Sequence, residues 1–333
     1  MTSLPDSGDK AHRSGVLYAI AAYASWGFFP AYWHLLHQLS AERILVHRIV
    51  WSALFYLGVY FARSASPRAS VERLAEALRK RWLSIFFSAS LISVNWFTYI
   101  YAVNSGHVLE SSLGYFINPL VNVLLGTVFL SERLRPLQWV ATGFAFLGVI
   151  VLSVTVGHLP TLALILATSF GLYGLMRKRM AFDPLLVSTL ESAVLIPLAL
   201  FAWFNIEVRT GETVPNALMI WLVLGGAVTA LPLLWFAEAA KRLPLSTMGF
   251  LQYLSPTFQF LLGIFFFHEH FGRDQALSFG LIWFGLAVFS FDLLRARRGL
   301  GGKVGRVRES ADMLCRQARV HERLEELISD IGK

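Results

Sequence analysis

A single cysteine, Cys315, leaves the 333-residue chain without an intrachain disulfide. Cys and His form no cluster at metal-ligand spacing, so neither a metal nor any other cofactor is expected. Charge is scarce: Asp, Glu, Lys and Arg make up 15% of residues, against about 25% in soluble domains. The Gly-rich phosphate-cradling run of nucleotide-driven pumps is missing, which argues against ATP-driven transport by this chain alone. His268-Glu269-His270 begins like a zinc-protease helix, but Gly272 stands where that helix needs its second histidine. Ser111 and Ser112 lie near His107 without a Gly-x-Ser-x-Gly elbow around them. The motifs therefore point away from an enzyme.

What the chain does have is apolar length. Hydrophobic residues reach 56% and aromatics 14%, and the mean hydropathy is +0.56, too apolar for a soluble globular domain. The apolar runs match the roughly 20 residues that carry a helix across a hydrocarbon core. Strand-like alternation is absent, so the spans are read as helices. Candidate spans lie at 15–36, 44–62, 82–104, 108–130, 137–156, 159–176, 184–204, 217–239, 244–267 and 275–294. The first run is long enough to span and is read as helix one rather than a signal peptide.

Lys and Arg fix the expected orientation. Of the 29, only Arg43, Arg209 and Arg273 fall in connections on one side, and Arg48 lies inside a span. The rest gather with both termini, which places those termini in the cytoplasm and requires an even number of spans.

The chain also repeats itself. Pro119, Gly126, Phe129 and Glu132 recur as Pro256, Gly263, Phe266 and Glu269, and Gly143 and Gly148 recur as Gly280 and Gly285. Each pair is separated by 137 residues. A fixed offset means one unit present twice. It maps span four onto nine and five onto ten, so each unit has five helices. Five being odd, the second unit crosses the membrane in the opposite sense, as in secondary transporters whose path runs between two halves. The expected organisation is an all-α integral membrane protein of ten transmembrane helices, built as two inverted five-helix repeats. Residues 1–14 form an N-terminus, 15–156 repeat one, 157–294 repeat two and 295–333 a linker with an amphipathic tail. Within repeat one, loop 63–81 is a basic amphipathic segment suited to lying on an anionic leaflet. Nucleic acid is not an expected partner of so short and membrane-tethered a stretch. In the tail, Met313, Gln317, Val320, Leu324, Leu327 and Ile331 trace a seam that suits either a solvated helix or weak self-association.

Ionisable groups at membrane depth are costly and therefore functional candidates. Arg48 and Glu191 pass that filter, at depths close enough for an ion pair. Glu132, Glu238, Glu269 and Asp292 sit at span ends, where they read as interfacial or capping carboxylates. His47 neighbours Arg48, but adjacent helical residues point about 100° apart, so only one of them can face the centre directly. Asn95, Tyr115, Asn118, Gln252 and Tyr253 cluster around Pro119 and Pro256, two prolines expected to loosen their helices as hinges. Loosened backbone at depth is tolerated where protein or a wet cavity satisfies it, so these residues are expected to line a cavity. Trp26 and Tyr173, each followed by Gly, are candidates to cap it. Arg48 would attract an anionic group, and His47 or Glu191 would carry a coupling proton.

Several runs also look familiar. Leu113-Gly-Tyr-Phe-Ile-Asn-Pro-Leu-Val-Asn122, His47-Arg48, Trp51-Ser52, Asn95-Trp96 and Leu245-Ser-Thr-Met-Gly-Phe-Leu-Gln-Tyr253 resemble the RarD-type branch of the EamA transporters, in the drug/metabolite transporter superfamily. The similarity runs over about residues 15–294. It implies a ten-helix fold of two inverted repeats, export or exchange of small metabolites, and a place in a bacterial inner membrane. The expected function is thus a secondary transporter of small amphipathic or amino-acid-like metabolites, drugs among them, working by alternating access. The alternatives are a receptor or assembly subunit that transports nothing, or a lipid scramblase.

Overall fold

The structure, a computed structural model, describes residues 7–104, 108–156, 161–211, 214–265, 272–273, 276–293 and 295. The tail seam and Glu269 lie outside the described residues. All regular structure among the described residues is helical: α1 (Ser7–His34), α2 (Ala41–Ala62), α3 (Pro67–Asn104), α4 (Val108–Phe129), α5 (Pro136–Val156) and α6 (Thr161–Arg179). The chain continues through α7 (Pro184–Thr210), α8 (Asn216–Arg242), α9 (Leu245–Gln252), α10 (Leu254–Phe265) and α11 (Ala276–Leu293). Five of these, α2, α5, α7, α8 and α11, are apolar over a membrane-crossing length. Large apolar side chains such as Phe201, Phe204, Val154 and Phe265 are left exposed, as in an all-α multi-pass membrane protein.

Local chemistry sets the helix boundaries. Ser40 caps α2 by accepting from the Arg43 amide at 3.4 Å, with Glu42 in the favourable first turn. Asp183 caps α7 by accepting from the Leu185 and Leu186 amides at 3.0 and 3.2 Å, and Gly211 ends that helix at φ 65°. The basic segment is the first part of α3, set off from the span by non-helical angles at Arg81. Its Ala77 is buried against Ile85, Met180 and Leu186, while Val71 and Leu78 are exposed.

One expected span is broken. The sequence reads as a single helix over 244–267, but α9 stops at Gln252 and α10 starts at Leu254. The reason is Pro256, which cannot donate to the carbonyl four residues earlier and whose ring clashes with it; that carbonyl belongs to Gln252. Pro119 has the same chemistry within α4, yet α4 stays continuous.

The helices cross where glycine permits it. A Cβ on Gly249 would stand 2.6 Å from the Pro119 carbonyl oxygen, and one on Gly226 2.5 Å from the Trp51 backbone. In α5 and α11 the contacts are reciprocal. A Cβ on Gly148 would stand 2.8 Å from the Ser278 carbonyl oxygen, and one on Gly285 2.8 Å from that of Ala141. Gly226→Ala must push α2 from α8, since backbone cannot yield as a flexible side chain can. It is expected to lower stability by about 1–3 kcal/mol in detergent unfolding. Gly58→Ala, where nothing lies within 4 Å, should cost nothing; equal effects of the two would refute this account of the crossing.

Candidate functional site: a cavity around Arg48

The bundle encloses a cavity of about 90 Å³, bordered by helices from both halves of the chain. From the first half, α1 contributes Trp26 and Trp33, α2 Arg48, α3 Asn95 and Trp96, and α4 Tyr115 and Asn118. From the second half, α6 contributes Phe170, α8 Thr229, α9 Gln252, and α10 Ser255 and Gln259.

Arg48 is the charge in this space. Its guanidinium carbon lies 4.4 Å from the Trp96 ring centroid and 5.7 Å from that of Trp33. Its Nε is buried with no hydrogen-bond partner among the described residues. Among the described residues no Asp or Glu borders the cavity. Among the described residues the cation is therefore held by π faces, which attract it through the ring quadrupole but carry no counter-charge.

Around it runs a set of tied amides. Asn122 donates from one nitrogen to Asn118 Oδ1 at 3.0 Å and to Gln252 Oε1 at 2.9 Å, joining α4 to α9. Asn118 donates to the Ala167 carbonyl and Asn95 to that of Leu166, each at 2.9 Å, joining α4 and α3 to α6. On α1, Pro30 withholds the amide that would bond the Trp26 carbonyl, and Gln259 donates to that carbonyl from α10 at 3.2 Å. The proline thus frees an acceptor that a cavity glutamine occupies.

Six expected cavity residues border it: Arg48, Asn95, Tyr115, Asn118, Gln252 and Trp26. Two do not. Tyr253 is buried with Phe116, Leu152 and Phe279, and its hydroxyl donates to the Phe116 carbonyl at 3.3 Å. It directly follows Gln252, and the roughly 100° turn between neighbouring residues carries its ring away from the cavity and into that cluster. Tyr173 is likewise no cap: it is fully buried and donates to Glu191 at 3.3 Å.

Nor does Arg48 meet Glu191. The Glu191 carboxylate accepts from Arg177 at 3.1 Å and from Ser88 at 2.5 Å. Arg177 falls among the loop cations by sequence, but it occupies the last turn of α6 and is 3% exposed. Depth alone made Arg48 and Glu191 look like partners; the helix faces send them apart. His47 is buried away from the cavity, its ring tilted against Trp203 with centroids 4.1 Å apart and accepting from Trp51 at 3.2 Å. Trp33, Tyr99, Phe170, Thr229 and Gln259 were not foreseen. Thr229 and Gln259 carried a signal, being polar within apolar runs; the aromatics carried none.

Helices of membrane-crossing length around a largely aromatic cavity that holds one buried cation are those of a multi-pass membrane protein. The EamA-like transporter family model matches twice, over residues 13–154 and 160–291, and the chain belongs to that family. Within it, the similarity is to the RarD-type branch. An uncharacterized transporter of Bacillus subtilis, YojE, is 45% identical over 287 residues, covering 86% of this chain and 96% of its own. Protein RarD of Escherichia coli is 42% identical over 292 residues, covering 87% and 98%. A Pseudomonas aeruginosa relative named chloramphenicol-sensitive protein RarD is 34% identical over 299 residues, covering 86% and 98%. A solved structure titled only as a crystal structure of a protein superposes with a TM-score of 0.66 at 18% identity, covering 86% of this chain and 99% of its own. That likeness concerns the fold. The chain is thus a membrane transporter, with a small-molecule substrate, rather than an enzyme.

Proposed function

We propose that this protein is a secondary transporter, an exporter or exchanger, of small amphipathic or amino-acid-like metabolites and drugs that carry an anionic group. It works by alternating access in the bacterial inner membrane, with both termini in the cytoplasm. The observation that carries the reading is Arg48, a cation that no carboxylate among the described residues meets, in a cavity bordered by helices from both halves. A buried charge that the fold does not compensate invites a ligand that does.

Two inverted repeats, 15–156 and 157–294, are part of the proposal. The family match at 13–154 and 160–291 supports the duplication. The reciprocal contacts of Gly148 on Ser278 and Gly285 on Ala141 support a two-fold relation, since the 137-residue offset exchanges one contact for the other. A cavity bordered by both halves also suits alternating access, since moving one half against the other would open it to either side.

The test is flux in proteoliposomes screened against small carboxylate metabolites. Saturable flux is expected, and Arg48→Ala should reduce it at least tenfold, the effect of losing one charge-assisted contact. Unchanged flux in that variant would remove Arg48 from the site. Absence of any flux would favour the receptor or subunit reading, and movement of labelled lipid the scramblase reading. Proton coupling falls to Glu191 or His47; flux indifferent to an imposed pH gradient makes the protein a facilitator or exchanger without it.

A further inference from the structure

Threonines at membrane depth ordinarily return their hydroxyl to the carbonyl one turn back, which satisfies the group within its own helix. Thr127, Thr142, Thr168, Thr189 and Thr257 all do so, at 2.6–3.0 Å. Thr229 does not. Its side chain is 2% exposed, borders the cavity, and its Oγ1 has no hydrogen-bond partner among the described residues.

The surrounding frame does not need that hydroxyl. The neighbouring α8 carbonyls, Gly226 and Ala230, accept from Ser52 at 3.1 Å and Tyr56 at 3.0 Å, both on α2. One helical register therefore has its backbone satisfied from α2 while the threonine between those two positions is left open. An unmet buried hydroxyl carries a desolvation cost, which a bound polar group removes.

The second unmet atom of the cavity is Arg48 Nε, across the same space on α2. We infer that Thr229 is a specificity-determining residue which, together with Arg48, selects solutes bearing a carboxylate. This deepens the transporter reading and rests on it. The guanidinium supplies charge and a planar donor edge that matches a carboxylate; the hydroxyl donates a further hydrogen bond. A lone cation matches one negative charge, and with no Asp or Glu bordering the cavity among the described residues, the ammonium of an amino-acid-like solute is left to aromatic faces such as Trp26 and Phe170. The aromatic faces of Trp26, Phe170 and Tyr115 suit an apolar body attached to that carboxylate. Solutes whose only charge is positive are excluded by the field of Arg48.

Three probes sharing one body separate these contributions: phenylacetate, its neutral amide phenylacetamide, and the cation phenethylamine. Binding to the purified full-length protein by calorimetry should favour phenylacetate over both others by at least tenfold. Thr229→Val, which keeps the shape and removes the hydroxyl, should weaken phenylacetate about tenfold, as loss of one hydrogen bond to a charged group does. Thr229→Ser should restore most of it, which a purely structural role for the threonine methyl would not allow. Equal binding of the three head groups, no binding of phenylacetate, or an unaltered Thr229→Val would each overturn the inference. Flux is scored separately in proteoliposomes. Phenylacetate binding without flux removes the transport reading and leaves carboxylate selection standing. Flux without preference for a carboxylate does the reverse.

Discussion

Glu191→Ala should destabilise the protein by about 3–5 kcal/mol, the usual effect of stripping one partner from a buried ion pair. The Glu191 and Arg177 side chains are 4% and 2% exposed, and the carboxylate also accepts from Ser88 at 2.5 Å and Tyr173 at 3.3 Å. Three side chains on α3 and α6 therefore meet at one carboxylate on α7. Without it, Arg177 keeps the Pro184 carbonyl and Ser188 Oγ, at 3.0 and 3.1 Å, and the Tyr173 ring at 6.0 Å, with no counter-charge among the described residues. The cost thus lies mainly in the orphaned guanidinium, not in the contact removed. That distinction makes a second variant decisive. Glu191→Leu with Arg177→Met removes both charges together and should recover most of the stability, because an apolar pair avoids desolvating either ion. Denaturant midpoints in mild detergent would read both. A double variant as unstable as Glu191→Ala would show that the hydrogen bonds to Ser88 and Tyr173, rather than charge pairing, hold these helices. A single variant as stable as the parent would show that water already reaches Arg177.

The same network shows where reading the sequence worked and where it stopped. Depth is legible along a chain, because apolar length and basic ends locate each residue across a membrane. Glu191 stood out for that reason, and so did Arg48. Azimuth is legible only relative to a neighbour on the same helix. It allowed just one of His47 and Arg48 to face the centre, and Arg48 borders the cavity while His47 packs against Trp203. The rule is no more than a preference, since the neighbours Asn95 and Trp96 both border the cavity whereas of Gln252 and Tyr253 only the glutamine does. Which faces of two different helices meet is set by packing, and that is why Arg177, not Arg48, meets Glu191. Arg177 was hidden by its position beside Lys178 and Arg179, in a run that reads as cationic loop. The break in the ninth span was legible as a loosening at Pro256, but its displacement to Tyr253 follows only from counting back to the carbonyl the proline obstructs.

At the end of the bundle where α4 finishes and α9 begins, Gly126→Ala should open a closure that a carboxylate holds. Glu132 accepts from the Leu245 amide at 2.6 Å, the Ser246 amide at 2.9 Å and the Ser246 hydroxyl at 2.8 Å, so it caps a helix from the far half of the chain. Its reach depends on a tight return of the chain. Ser131 takes a positive φ of 54°, rare for a residue with a side chain, and the Glu132 amide bonds back to the Gly126 carbonyl at 3.0 Å. The carboxylate then lies over Gly126, where a Cβ would stand 2.6 Å from Glu132 Oε2. An alanine there displaces the carboxylate, and Glu132→Ala removes it; either way the first amides of α9 lose a charged acceptor worth about 1.5–3 kcal/mol. One turn further along, Met248 is fully buried with Tyr23, Tyr173 and Phe236. With Cys315→Ser removing the native thiol, Met248→Cys should be shielded from a water-soluble maleimide in the parent protein. Labelling should accelerate by about tenfold or more in Gly126→Ala and in Glu132→Ala, the open fraction rising with the free energy lost. Because both changes break one contact, the combined variant should label no faster than Glu132→Ala alone, a failure of additivity expected only of groups that act together. Additive acceleration would mean that Gly126 serves a separate helix contact, and unchanged labelling that the cap at α9 does not hold this end shut.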